Sequence, residues 1–470
     1  MGCLFCYSTT CKLYFLLYNI FDMENLSDTI VAISTGSTNG AISIVRLSGK
    51  NAIEIADGLF ESAKHKKPSA LPARYLELGK VKTKGFVEQA MCVVFRAPAS
   101  YTGEDLVEIQ CHGGLKIAHG IVEECISLGA RLATNGEFTK RAFINGKMSL
   151  ASAEGVMDII NAESDAQVRA GYNLLSGGLS KIASEAQDEL TDLMSEIEVS
   201  FDYPEEQIEY ITKANTKQRL KNLSDKLQKT LDTAGAGNLI SNGINVLIVG
   251  KPNVGKSSLL NKLLDRERAI VTDIPGTTRD TIEDSFSING IKVKIIDTAG
   301  IHDTTDMVEK MGVDKAKNLI DAADIVLFVT DASKPLTDED KKIFDLIKSK
   351  QHIEIANKAD ISHNNSNKKA IVVSSLTGEG IEELKQEIFK RFESPNLVEG
   401  GVIITNERHK QALSVALENI NNAIREIDCQ TLDLISIDLK LAYSSLGEIT
   451  GNTTGEDIID AIFSKFCLGK

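Results

Sequence analysis

The apolar run Ile244–Val249 leads directly into Gly250-Lys251-Pro252-Asn253-Val254-Gly255-Lys256-Ser257, and a helical pattern follows over residues 258–264. No other stretch constrains the fold as tightly, because a GxxxxGK[ST] loop between strand and helix is built to wrap phosphate. Its glycines let backbone N–H groups turn toward the anion, and the helix N-terminus adds favourable partial charge. On this reading Lys256 bridges the β- and γ-phosphates and the Ser257 hydroxyl binds Mg²⁺.

Further motifs follow in order. Asp297-Thr298-Ala299-Gly300 closes an apolar strand over 293–296. An aspartate there holds Mg²⁺ through water, and the glycine amide senses the γ-phosphate. Between the two lies Gly276-Thr277-Thr278-Arg279-Asp280, with Thr278 the candidate switch residue for Mg²⁺. Asn357-Lys358-Ala359-Asp360 follows a strand over 352–356. A carboxylate there accepts two hydrogen bonds from guanine N–H groups, which adenine does not offer, so the motif selects GTP over ATP. Ser374-Ser375-Leu376 ends a strand over 371–373 and supports the base. The predicted GTP contacts are Asn253, Val254, Gly255, Lys256, Ser257 and Ser258; Thr272, Asp273, Ile274, Pro275, Gly276, Thr277 and Thr278; Asp297, Thr298, Ala299 and Gly300; and Asn357, Lys358, Ala359, Asp360, Ser374, Ser375 and Leu376.

One position breaks the usual pattern. Ras-like enzymes place a water-orienting Gln directly after the glycine of Asp-x-x-Gly, and here that residue is Ile301. Either hydrolysis is very slow or other groups take over. Asp306, Glu309 and a monovalent cation near Asn253 are the candidates, against the plainer reading of solvated loop residues.

The remainder of the chain frames this block. A length of 470 residues suggests about three domains. Short β-rich runs at 41–47 and 91–95, broken by Gly, Pro and Ser and joined by a helical stretch at 115–128, read as an α+β domain. Leu179, Ile182, Ala186, Leu190, Leu193 and Ile197 then fall at intervals of three and four, one face of a long helix. A second helical run spans 216–233, and the rhythm resumes at Leu413, Ala416, Leu417, Ile420 and Ile424. The expected fold is multidomain: an α+β N-terminal domain (23–145), an all-α helical domain in two parts (146–237 and 398–470), and an α/β phosphate-loop domain inserted between them (238–397).

A formal charge of −14 argues against coating nucleic acid by global electrostatics, so an RNA partner requires a local basic patch or a second protein. The eight cysteines form neither a recurring zinc-type pattern nor a disulfide framework, which fits a reduced, cytoplasmic setting. Residues 1–22 read as a leader outside the fold, with Met23 the expected initiator. Their apolar run is too short to span a bilayer and no small-residue cleavage site follows, so no membrane association is expected.

Five further segments are more specific still: Val45-Arg46-Leu47-Ser48-Gly49, Tyr101-Thr102-Gly103-Glu104-Asp105, His112-Gly113-Gly114, Gly136-Glu137-Phe138-Thr139-Lys140-Arg141-Ala142-Phe143 and Phe466-Cys467-Leu468-Gly469-Lys470. With the phosphate loop, they make the chain from Asp28 to Lys470 resemble the MnmE (TrmE) family of tRNA-modification GTPases. The resemblance implies an N-terminal folate-binding domain that dimerises, a helical domain and an inserted G domain. It also implies a homodimer joined by the FAD-containing partner MnmG (GidA) in a heterotetramer. That assembly adds a carboxymethylaminomethyl-type group to the wobble uridine, position 34, of certain tRNAs, with a tetrahydrofolate derivative (5-formyl or methylene form) as one-carbon source. GTP hydrolysis is then activated when two G domains meet across a potassium ion. By matching motifs, the ion is held by Asn253 and Thr277 with the carbonyls of Thr272 and Ile274, and Glu309 positions the water. Lys256 and Thr278 complete the catalytic set, Cys467 assists the modification chemistry, and Arg46, Glu108, Lys147 and Lys470 contact folate. Departures from the family pattern are His302, Pro275 and Leu468. The alternative is a ribosome- or RNA-associated regulatory switch without modification activity. Such relatives carry a basic RNA-binding appendage, whereas this chain has an acidic helical domain and ends Cys-Leu-Gly-Lys.

Overall fold

The computed structural model describes residues 28–36, 40–202, 208–264, 285–296, 313–361, 369–392, 401–428 and 432–470. The leader at 1–22 lies outside them. Two compact units emerge, one holding the residues up to Met157 together with Thr450–Lys470, the other Asp158–Ile449.

In the first unit the strands at 42–48, 77–82 and 106–112 largely alternate more and less buried residues, as a sheet with one face packed on helices requires, whereas 30–33 is buried on both faces. The strands are β1 (Ile30–Ile33), β2 (Ile42–Ser48), β3 (Phe60–Ser62), β4 (Glu77–Lys82), β5 (Val87–Phe95), β6 (Leu106–His112) and β7 (Arg131–Leu132). Their order is β3-β4-β5-β6-β2-β1-β7, and only the β1–β7 pair is parallel. Helices α1 (Ala52–Leu59) and α2 (Leu115–Ser127) close a core containing Val45, Leu47, Val94, Val107, Ile109 and Ile121. The alternation that buries Val45 and Leu47 turns Arg46 to the opposite face. There the β2–β6 register sets it directly across from Glu108.

Two more helices follow, α3 (Glu137–Ile144) and α4 (Leu150–Ile160), and the chain returns to this unit at its end with a last helix, Glu456–Phe463. Leu150 and Ala153 of α4 pack with Phe463 and Phe466. Beyond that helix the backbone pairs with the start of α3, through an antiparallel bridge between Asn135 and Leu468. Gly469 adopts φ +87°, and a Cβ there would lie 2.2 Å from the Ile33 carbonyl oxygen, so only glycine fits the approach. The residues from Thr450 group with the N-terminal sheet.

The second unit opens with α5 (Asp165–Leu175), α6 (Gly178–Asp202), α7 (Ile208–Leu231) and α8 (Ala234–Asn242). Helix α6 buries Leu179, Ala186, Leu190, Leu193 and Ile197, with Ile182 half-buried beside them. A leucine fully buried in this way contributes about 2 kcal/mol. The α/β block comprises β8 (Ile244–Val249), α9 (Lys256–Leu264), β9 (Ser285–Ile288), β10 (Ile291–Ile295), α10 (Val313–Ala322), β11 (Ile325–Asp331), α11 (Asp338–Ile347), β12 (His352–Asn357), β13 (Ile371–Val372) and α12 (Ile381–Lys390). Helices α13 (Glu407–Glu426) and α14 (Leu432–Thr450) complete the helical part, α13 burying Leu413, Ala416, Leu417 and Ile420.

The sheet order is β13-β12-β11-β8-β10-β9, parallel apart from the edge strand β9. Strand β8 sends Val246 and Ile248 into one core with Leu259, Leu263 and Leu384, and Leu247 and Val249 into another with Ile320, Phe328 and Ile347. Cover on both faces explains why β8 is apolar at nearly every position. It also gathers the loops after β8, β12 and β13 at the carboxyl edge of the sheet, where open α/β sheets bind ligands.

Candidate functional site

The phosphate loop runs from β8 to α9 in the predicted strand–loop–helix form. Lys256 Nζ donates to the Gly250 and Lys251 carbonyls, each at 2.8 Å. Burial pulls its pKa below the usual lysine value. Val254 is buried, Ser257 is half-buried at the head of α9, and Asn253 and Ser258 are exposed. Gly255 has φ +95°, and a Cβ there would stand 2.3 Å from Asn357 Nδ2. That glycine is what lets the Asn-Lys-Ala-Asp motif touch the loop.

Asn357, 1% exposed, is the hub of the site. Its Nδ2 donates to the Val254 carbonyl at 2.9 Å, and its Oδ1 accepts from Ser375 N at 3.1 Å and Ser375 Oγ at 2.8 Å. One side chain thus binds together the loops after β8, β12 and β13. Ser374 Oγ donates to Asp360 Oδ1 at 2.6 Å, which orients a carboxylate that remains exposed for a ligand. Ala359 is buried, with its N–H on the Val373 carbonyl, while Leu376 is exposed. Lys358 Nζ reaches the Asn253 carbonyl at 2.7 Å and Asp331 Oδ2 at 2.8 Å. Asp331 is a residue the sequence reading passed over. Its signal was an aspartate ending an apolar strand, as Asp297 does. Thr272, Asp273, Ile274, Pro275, Gly276, Thr277, Thr278, Asp297, Thr298, Ala299, Gly300, Ile301, His302, Asp306 and Glu309 lie outside the described residues.

A second cluster stands on the face of the N-terminal sheet opposite α1 and α2, where Phe138 and Tyr101 pack with Ile30 and Ala32. Arg46 Nε donates to Glu108 Oε1 at 2.9 Å, both side chains being mostly buried. The guanidinium lies 5.6 Å from the Tyr101 ring centre and 5.7 Å from that of Phe138, within cation–π range. These two aromatics stood inside recognised segments but were not singled out as site residues. Phe138 also donates its backbone N–H to the Lys470 carbonyl at 3.2 Å, and Gly136 N donates to the Cys467 carbonyl at 3.4 Å. The C-terminal residues are therefore seated on the residue that faces Arg46, with the Cys467 side chain exposed. Lys147 Nζ donates to the Pro98 carbonyl at 3.0 Å, on the loop that leads to Tyr101.

Next to this cluster lies a knot of charge. The Arg141 side chain is 0% exposed; it donates to Asp28 Oδ1 at 2.6 Å, Glu137 Oε1 at 3.0 Å and Glu104 Oε1 at 3.3 Å. Arg131 adds contacts of 2.6 Å to Asp28 and to Glu137. Burial pushes the Glu137 carboxyl up, but hydrogen bonds from Arg131, Thr134 N–H and Arg141 outweigh it and hold the pKa at about 2. Among the described residues, no helix is long and apolar enough to cross a membrane.

Two family profiles match in order: "GTP-binding protein TrmE N-terminus" over residues 29–147 and "MnmE helical domain" over 150–467. The tRNA modification GTPase MnmE of Clostridioides difficile strain 630 is 42% identical over 457 residues, covering 95% of this chain and 100% of that protein. The protein of the same name from Lactobacillus gasseri is 44% identical over 453 residues, covering 94% and 98%. Among solved structures, the G domain of T. maritima FeoB aligns with 32% of this chain and 99% of its own at 26% identity. The TM-score of 0.25 is too low to speak to the fold. End-to-end identity at this level, with both profiles in register, means that the chain belongs to the MnmE family of tRNA modification GTPases.

Proposed function

We propose that this GTPase is potassium-dependent and activated by G-domain dimerisation. We further propose that it works as a homodimer, in a heterotetramer with the FAD-containing MnmG (GidA). Together they install a carboxymethylaminomethyl-type group at uridine 34 of tRNA in the cytoplasm. The observation that carries the modification half is the seating of Cys467–Lys470 on Phe138, whose ring faces Arg46. A carboxylate such as Glu108 suits the paired donors of a pterin. Arg46, Lys147 and Lys470 suit its charged edges and glutamate tail. These four residues are the proposed site for a 5-formyl or methylene tetrahydrofolate, with Cys467 beside it.

The GTPase half is supported by Asn253, exposed and in left-handed backbone at φ +61° with its carbonyl bonded to Lys358. Its side-chain oxygen, with Thr277 and the carbonyls of Thr272 and Ile274, makes an all-oxygen donor set that fits a hard monovalent cation. A potassium ion there supplies the positive charge that an arginine finger supplies elsewhere. Ser257 and Thr278 are the proposed hydroxyl ligands for Mg²⁺, and Glu309 the group that orients water in place of the glutamine replaced by Ile301. Lys256 steadies the β- and γ-phosphates.

Hydrolysis measured in KCl and in NaCl tests the first half, with Asn253→Ala as control. The rate should fall sharply in NaCl, and equal rates in both salts would sink the potassium assignment. Nucleoside analysis of tRNA from a deletion strain tests the second half. The expected result is loss of the modified wobble uridine, and an unchanged profile defeats the assignment.

A further inference from the structure

Two lysines of the nucleotide motifs, Lys251 of the phosphate loop and Lys358 of Asn-Lys-Ala-Asp, reach outside those motifs, and both end on one short segment, residues 331–340. The first anchor is Asp340, whose side chain is 3% exposed. Its Oδ2 accepts from Thr337 N at 2.8 Å and Thr337 Oγ1 at 2.9 Å, completing a capping box at the start of α11. Such a box requires no third donor. Yet Lys251 Nζ lies 2.6 Å from the same oxygen and donates to Thr337 Oγ1 at 2.8 Å. The effect of that pair therefore falls on the loop, not on the helix cap.

The second anchor is Asp331 at the end of β11. Ser333 N and Oγ hold its Oδ1 at 3.0 and 2.6 Å, leaving Oδ2 for Lys358, which also grips the Asn253 carbonyl. Burial pushes the Asp331 carboxyl up, but the Lys358 and Ser333 bonds prevail and hold it at about 2, fully charged at neutral pH. Both Asn253 (φ +61°) and Lys358 (φ +70°) sit in left-handed backbone, which side-chain-bearing residues keep only when surrounding contacts over-determine them. Between the anchors lies a cavity of about 310 Å³ lined by Pro252, Asn253, Lys334 and Leu336. On this side, charge-assisted bonds at two points support the loop turn.

We propose that segment 331–340 is a two-point brace for the phosphate loop, and that Asp331 and Asp340 are positioning residues for nucleotide binding. Asp340 acts through Lys251, and Asp331 acts through Lys358 on the Asn253 turn. The test uses the full chain at one fixed KCl concentration and GDP as the probe. Asp331→Asn and Asp340→Asn should each weaken GDP binding by about tenfold through faster dissociation, and raise KM for GTP in parallel with kcat changed less than about twofold. Circular dichroism should place both melting midpoints near that of the unaltered chain. In a double-mutant cycle, Lys251→Met combined with Asp340→Asn should bind GDP no more weakly than the worse single variant. Independent, multiplying losses overturn the first anchor, because Asp340 would then not act through Lys251. If Asp340→Asn does not fold, Lys251→Met and Asp331→Asn carry the test alone, and unchanged GDP affinity in both overturns the brace. A fall in kcat with unchanged GDP affinity overturns it as well.

Discussion

Arg141 in the first unit and Lys256 in the second are both cations drawn out of water, but their partners differ. Arg141 is held by three carboxylates, of Asp28, Glu104 and Glu137. Lys256 is held by two neutral backbone carbonyls of its own loop. Burial works against the charge in both places. At Arg141 the carboxylates of Glu104, Asp28 and Glu137 outweigh it, so its pKa lies above the usual value; at Lys256 burial is unopposed and the pKa falls. A cation matched by fixed counter-charges is structural, since removing it strands them. A cation matched only by carbonyls gains most when phosphate oxygens arrive. The same reasoning separates Arg46, which shares a single carboxylate and two aromatic faces, from its neighbour Arg141.

That contrast can be broken by experiment. Arg141→Met should cost about 3 kcal/mol in the stability of the first unit, because the buried Glu137 and partly buried Glu104 lose their fully buried partner while Arg131 still holds Asp28 and Glu137; urea unfolding followed by far-ultraviolet dichroism measures it. Nucleotide binding in the second unit should survive. Lys256→Ala should do the reverse, lowering GTP hydrolysis by about a thousandfold, near 4 kcal/mol, with unfolding unchanged. A large drop in melting midpoint there would mean that the lysine is structural after all.

Glu137 sharpens the comparison through pH. Its folded pKa of about 2 lies below the ordinary 4.5, so its contribution to stability is complete above about pH 4.5 and is lost as the pH falls through about 2. Glu137→Gln should remove up to roughly 3 kcal/mol of that acid dependence, seen as a flatter plot of unfolding free energy between pH 4.5 and 2. The smallest effect is expected at Ser375→Ala. Asn357 Oδ1 loses the Ser375 hydroxyl but keeps the backbone N–H, so GTP affinity should weaken by about fivefold, near 1 kcal/mol.

Local patterns carried much of this into the sequence. Strand β8 was readable to the residue because both its faces are buried, leaving a run apolar at every position but Asn245 between a glycine turn and a glycine-rich loop. The stripe of α6 was readable because helical burial repeats every three or four residues. Pairings between distant charges leave no such trace. Nothing near Lys251 announces Asp340, and nothing near Arg141 announces Asp28. The two-residue strand β7 falls below the length at which alternation registers. The grouping of the residues after Thr450 with the first sheet was hidden for the same reason, since that pairing joins positions more than three hundred residues apart.

That last pairing bears on how the protein is made. Residues 28–157 leave the ribosome first, yet Gly136 and Phe138 find the carbonyls of Cys467 and Lys470 only once the whole second unit has been synthesised. At about 5–20 residues per second, the N-terminal sheet waits on the order of tens of seconds for the residues that complete it. A reporter fused after Lys470, or a ribosome stalled inside the G domain, therefore acts on the first-made part of the protein, far back along the chain from the place where it is attached.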